Sequence, residues 1–183
     1  MIRVIEFLRA ARGWRRAGLA LSAGMIAALS MPPLDLWPLL FIAIPVVLFM
    51  LEGIEREERL PSFLLGWCFG FGYFIVALHW IGFAFLVDAE AYLWMMPFAV
   101  GGLAAGMAVY WGLATFCVAL SRREGLPVAL VFAVSLAAFE YMRGVLFTGF
   151  PWAAPGLASD GMGAVAQTAS LWGMPALTLL IVL

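Results

Sequence analysis

No lysine occurs in this sequence, and its ten cationic residues are all arginine. A mechanism that needs a lysine amine cannot be assembled from these residues. Charge of either sign is scarce, at 11% of residues, where a soluble domain carries roughly 25%. The single histidine, His79, has no Cys, Asp or Glu at ligand spacing, so no metal site is expected. Cys68 and Cys117 lie inside apolar runs and read as small apolar side chains, with no redox compartment implied. No Ser or Cys is paired with a histidine, and no glycine-rich phosphate loop is present, so neither a complete active site nor a cofactor is expected. A net charge of -1 gives no footprint for nucleic acid. Internal repeats, low-complexity tracts and linkers are also missing.

What the chain has in excess is apolar surface: 66% of its 183 residues are hydrophobic. No water-soluble fold of this size can hide that much, so the solvent is lipid. In lipid every backbone polar group needs an internal partner, which leaves helices or a closed barrel. The apolar runs are continuous rather than alternating, so helices are expected. The fold class is an all-α polytopic membrane protein with about six transmembrane helices, over about 17–31, 36–52, 63–86, 92–120, 127–147 and 162–183. Residues 1–16 form a basic amphipathic N-terminus that precedes this 17–183 transmembrane domain and is not a cleaved signal peptide.

Arginine placement sets an orientation. With the N-terminus in the cytoplasm, segments 1–16, 53–62 and 121–126 face inward and hold nine of the ten arginines. These are Arg3, Arg9, Arg12, Arg15, Arg16, Arg56, Arg59, Arg122 and Arg123. Arg143 alone is left near the outer end of the fifth helix. The segment around Pro32–Leu36, that around Val87–Ala91 and the loop Thr148–Asp160 then face outward. That last loop is apolar, yet two prolines and two glycines in its first nine residues forbid regular helix. Either it dips into the interface or lines a cavity, or it is a short turn anchored by Trp152. The sequence ends in an unflanked apolar run up to Leu183, so it is expected to be the front part of a longer protein.

Polar residues within the spans are the functional candidates. Glu140 and Arg143 share a helix face at a spacing of three. They read either as an internal salt bridge or as a site for an anionic lipid head group. His79 is expected to bond a neighbouring helix, Asp35 to cap the second helix, and Asp88 and Glu90 to be solvated. Gln167, Thr168 and Ser170 either line a polar seam or bond to backbone. Gly102 with Gly106, and Gly66, Gly70 and Gly72, are expected to mark close helix packing.

Three blocks carry a further signal. Phe139-Glu140-Tyr141-Met142-Arg143-Gly144, followed by Leu146-Phe147-Thr148-Gly149-Phe150-Pro151-Trp152, resembles the hallmark stretch of the apolipoprotein N-acyltransferases. Ser30-Met31-Pro32-Pro33-Leu34-Asp35-Leu36-Trp37-Pro38 and Gly66-Trp67-Cys68-Phe69-Gly70-Phe71-Gly72-Tyr73-Phe74, with His79-Trp80-Ile81 after it, fit the same family in the same order. His79 stands where the family pattern has Asn. The resemblance implies an inner-membrane enzyme with eight spans and a nitrilase-like α/β domain on the periplasmic side. That domain is absent from this chain, which would then be a truncated part of the eight-span bundle. The implied reaction moves an acyl chain from a phospholipid, typically phosphatidylethanolamine, to an S-diacylglyceryl-cysteine apolipoprotein. It proceeds through a Cys thioester with Glu and Lys completing the triad, none of which maps onto this chain. The implied lipid-binding residues are Glu140, Arg143, Phe150, Pro151 and Trp152, with Phe150 and Trp152 flanking the path of the lipid. The rival reading is a small transporter or scaffold without catalysis, suggested by the missing catalytic set and the broken apolar loop.

Overall fold

A computed structural model describes residues 2–55, 57–121 and 127–183. The helices are α1 (Ile2–Ala10), α2 (Gly13–Ala28), α3 (Leu40–Glu52), α4 (Arg59–Ala77), α5 (Met96–Ser121), α6 (Val128–Val145) and α7 (Ala169–Val182). 3-10 segments of three to eight residues and two four-residue helices make most of the connections, and no strand occurs among the described residues. Three helical stretches are long and apolar enough to cross a membrane: Arg59–Ala77, Ala89–Ser121 and Val128–Val145. Trp37–Glu52 and Ala169–Val182 are apolar but shorter. Arg56, Arg122 and Arg123 of the expected inward set lie outside the described residues, as does most of the 121–126 segment.

Several boundaries differ from the sequence expectation. The helix expected over 63–86 is α-helical only as far as Ala77 and continues as 3-10 turns over His79–Leu86. His79 Nδ1 lies 2.7 Å from the Val76 carbonyl, so the histidine bonds its own chain rather than a neighbouring helix and competes for a ladder acceptor. The stretch expected over 162–183 is broken by Gly163 and Gly173, both at positive φ, and by Pro175, which has no N–H. Asp35 does not cap the second helix: it sits at φ 50, Leu36 precedes the Trp37–Leu39 turn, and no side-chain cap bond forms. Thr168 and Ser170 bond the carbonyls of Val165 and Gln167, the backbone alternative.

α4 is the central helix, packed between α2 and α5. Small residues let the backbones meet. A Cβ on Gly24 would lie 2.0 Å from the Phe69 carbonyl, and one on Gly72 2.1 Å from that of Leu21, which binds α2 to α4. A Cβ on Gly66 would sit 2.2 Å from Thr115 Oγ1 and 2.4 Å from the Trp111 carbonyl, binding α4 to α5. Gly102 and Gly106, by contrast, face open space and pack against nothing among the described residues. The apolar period alone could not separate a glycine facing a helix from one facing the outside. Gly66→Ala is therefore expected to lower the stability of the purified protein by about 1–3 kcal/mol, because the Trp111 carbonyl and the stiff, β-branched Thr115 side chain leave a methyl no room. Gly102→Ala should be neutral or stabilising by up to about 1 kcal/mol through helix propensity. Thermal unfolding in detergent checks the pair, and equal effects at the two positions would refute the packing.

α1 lies at the same end of the bundle as Glu52 and Glu58. Arg9 donates to Glu52 through Nε at 3.0 Å and through Nη2, and its guanidinium covers Phe49. Leu8 is buried, while Ile2, Val4 and Phe7 remain exposed. An amphipathic helix with a free apolar side suits the plane of a membrane interface.

Candidate functional site

α6 delivers Glu140 and Arg143 to the bundle interior, where both are buried. Their spacing puts one side chain a turn below the other on one face. Arg143 Nε donates to Glu140 Oε1 at 3.1 Å and Nη2 to Oε2 at 2.5 Å, a bidentate ion pair. The carboxylate takes a third bond from Trp111 Nε1 on α5 at 2.8 Å. Trp111 is buried against Phe69, Tyr73 and Phe74 of α4, with ring centroids 5.0, 4.7 and 5.3 Å away. The Arg143 guanidinium covers Phe74 at 5.1 Å. Charge inside a membrane bundle is tolerated when it is paired and hydrogen-bonded in this way. Trp111 was not among the candidates read from sequence. Its signal was there: a tryptophan deep in an apolar span, far from the interfacial belt, needs an acceptor for its N–H.

The other edge of the guanidinium organises the loop. Arg143 Nη1 donates to the Phe150 carbonyl at 2.5 Å and to the Trp152 carbonyl at 2.8 Å. In return the Phe150 N–H donates to the Arg143 carbonyl at 2.9 Å. The residue thus makes four hydrogen bonds to protein out of the five donors of an arginine. The turn it holds is strained. Phe147 and Ala153 adopt positive φ, and Gly149 sits at φ 81 with its α-carbon turned toward the Gly144 carbonyl. A Cβ at Gly149 would lie 2.2 Å from that oxygen. Gly149→Ala is expected to destabilise the loop by about 1–3 kcal/mol, visible as faster proteolytic nicking within residues 146–154. Unchanged protease resistance would contradict it.

Beyond the turn, Pro155–Met162 runs as 3-10 helix against α7. The Gly156 N–H donates to Thr178 Oγ1 at 3.1 Å and Ser159 Oγ to the Gly156 carbonyl at 2.7 Å. Ala153, Ala154, Ala158 and Ser159 are buried, so the segment is a packed cover rather than a loose turn.

Two cavities flank this cover. One, of about 240 Å³, lies between Glu140, Gly144, Pro151, Ala154 and Pro175. The other, of about 450 Å³, is lined by Met31, Pro32 and Pro33 beyond α2 and by His79, Trp80 and Phe83 beyond α4. Trp152 joins the loop to the rim of the second cavity, its ring centroid 5.9 Å from that of Trp80 in a T-shaped contact. Both rings are about half exposed. The five residues expected to touch lipid are therefore gathered at one end of the bundle: Glu140 and Arg143 inside, with Phe150, Pro151 and Trp152 around them. The Tyr73 hydroxyl near the ion pair is buried without a hydrogen-bond partner among the described residues. Tyr73→Phe should accordingly leave the unfolding temperature unchanged or raise it; a fall of several degrees would show that this hydroxyl has a partner. Among the described residues no group of His, Cys, Asp and Glu is arranged to hold a metal ion.

Residues 23–183 match the family model described as the apolipoprotein N-acyltransferase N-terminal domain. A curated relative from Rhodopseudomonas palustris, named apolipoprotein N-acyltransferase, is 42% identical over 98% of this chain and 34% of its own length. Its counterpart of the same name from Caulobacter vibrioides is 43% identical over 91% of this chain and 32% of its own length. A third of that name, from Brucella suis, is 37% identical over 93% of this chain and 33% of its own length. The chain spans about a third of the length of the curated relatives it matches.

Proposed function

The chain belongs to the apolipoprotein N-acyltransferase family, and on that premise we propose that it forms the membrane half of such an enzyme. The activity is transfer of an acyl chain from a phospholipid, phosphatidylethanolamine in the first place, to the amine of an S-diacylglyceryl-cysteine at the start of a lipoprotein. The two shorter apolar helices, Trp37–Glu52 and Ala169–Val182, and α2 add to the three long ones to make about six crossings of the bacterial inner membrane. The N-terminus lies in the cytoplasm and the loop at 148–160 on the periplasmic side. The nucleophile and its Glu and Lys partners belong to a nitrilase-like domain that would rest on that loop. No residue of this chain fills those roles, and it has no lysine to offer.

The observation that carries this reading is the clamp of Arg143 on the carbonyls of Phe150 and Trp152. It fixes an apolar, proline-containing cover beside cavities of a size to take acyl chain, at the end of the bundle where Trp80 and Trp152 meet. Phe150, Pro151 and Trp152 form the wall along which the acyl chain approaches. Glu140 and Arg143 act as positioning residues behind that wall.

The test is acyl transfer by the full-length protein in proteoliposomes, from labelled phosphatidylethanolamine to a diacylglyceryl peptide, with thioester formation followed separately. Trp152→Ala and Phe150→Ala are expected to lower both steps by about tenfold or more, because a misplaced cover misaligns the donor. Normal rates in both variants would overturn the assignment of the loop. Absence of any transfer by the unaltered protein would return the transporter or scaffold reading.

A further inference from the structure

The opposite end of the bundle holds a second built site. α4 is 19 residues long and so rises about 28 Å, close to the hydrocarbon thickness of a bilayer. At its start, between α2 and α4, is a laterally open cavity of about 450 Å³. Arg12, Arg16 and Glu58 line its head, and Leu64, Trp67 and Cys68 its lower wall. Leu64 is exposed, so this wall faces the surroundings of the helices.

The polar groups there are incompletely satisfied. Arg16 is only 7% exposed. Its Nε donates to the Ala11 carbonyl at 2.9 Å, and its terminal nitrogens have no hydrogen-bond partner among the described residues. Glu58 Oε2 is buried without a hydrogen-bond partner among the described residues. The nearest Arg12 nitrogen is 4.0 Å from it, too far for a hydrogen bond. The first turns of α2 and α4 also begin at this cavity, at Gly13 and Arg59, and add partial positive charge. Two guanidiniums beside two helix starts suit a phosphate, while the buried carboxylate oxygen asks for a donor. The apolar wall below suits an acyl chain.

We propose that this cavity binds a phospholipid with an amine-bearing head group, of the phosphatidylethanolamine kind, from the leaflet at the arginine-rich end. Arg12 and Arg16 hold its phosphate, its ammonium donates to Glu58 Oε2, and one acyl chain lies along Leu64 and Cys68. This lipid is structural: it seats the N-terminal interfacial helix on the bundle. It lies a membrane thickness away from the Trp80–Trp152 end, and the proposal does not depend on the acyl-transfer reading.

Native mass spectrometry of the purified full-length protein in nonionic detergent tests this, read as occupancy of the first bound lipid. The probes are phosphatidylethanolamine, phosphatidylcholine and phosphatidylglycerol with identical chains. Phosphatidylethanolamine is expected to bind about tenfold more tightly than phosphatidylcholine, which has no N–H to donate. Glu58→Gln should erase that preference without weakening phosphatidylcholine. Arg12→Gln, at an exposed position whose loss the fold tolerates, should weaken both lipids severalfold, whereas Arg15→Gln, outside this cavity, should weaken neither. Equal binding of the two zwitterionic lipids would overturn the proposal. So would tighter binding of phosphatidylglycerol, which would mean that net charge alone selects, or an Arg12→Gln variant that binds like the unaltered protein.

Discussion

Glu140→Ala is expected to lower the stability of the protein by about 3–5 kcal/mol, the cost of leaving a buried charge without its counter-ion. Arg143 is 1% exposed, so neither water nor a lipid head group reaches the guanidinium to replace the lost carboxylate. Trp111 Nε1 loses its acceptor in the same step, a further cost of about 1–3 kcal/mol if nothing relaxes. The double variant Glu140→Ala with Arg143→Leu should be less damaged than Glu140→Ala alone, because removing both partners removes the uncompensated charge. Unfolding midpoints in one detergent compare the two. If the double variant is as unstable as the sum of its singles, the pair is not coupled as described.

Arg143→Lys is expected to separate stability from loop order. The lysine keeps a positive charge for Glu140, so the global loss should stay well below that of Glu140→Ala. Its ammonium is compact, whereas the planar guanidinium faces Glu140 along one edge and the Phe150 and Trp152 carbonyls along another. The clamp is therefore lost while the charge remains. Hydrogen exchange at the Phe150 amide, which donates to the Arg143 carbonyl, should accelerate by about tenfold or more as the loop opens locally. Acyl transfer should fall with it. Unchanged protection across 146–156 would show that the loop holds itself without Arg143.

The membrane class, the helical content and the three long crossings follow from composition and uninterrupted apolar length, because lipid leaves a chain few choices. The pairing of Glu140 with Arg143 follows from a spacing of three on a helix. Their burial does not: an arginine near a span end can reach for the interface, and only the Phe74 ring under its guanidinium and the Trp111 bond to its partner Glu140 show that this one turns inward. The breaks at Ala77 and Gly173 were hidden because 3-10 turns and kinked helices carry the same apolar composition as α-helix. Gly102 and Gly106 misled for a related reason, since a small-residue stripe marks a face without saying what meets it. Long-range carbonyl contacts such as Arg143 to Trp152 leave no trace in residue spacing, and the proline and glycine content of 148–160 announced an irregular loop without its anchor.

Photo-crosslinking of an acyl-chain-labelled phosphatidylethanolamine to the full-length protein in proteoliposomes tests the central claim most directly. The account predicts adducts concentrated at Trp80, Phe83 and the 150–152 segment, and greatly reduced there in Arg143→Lys. Adducts spread evenly along the outer faces of α5 and α6, with none on the loop and no response to Arg143→Lys, would contradict it.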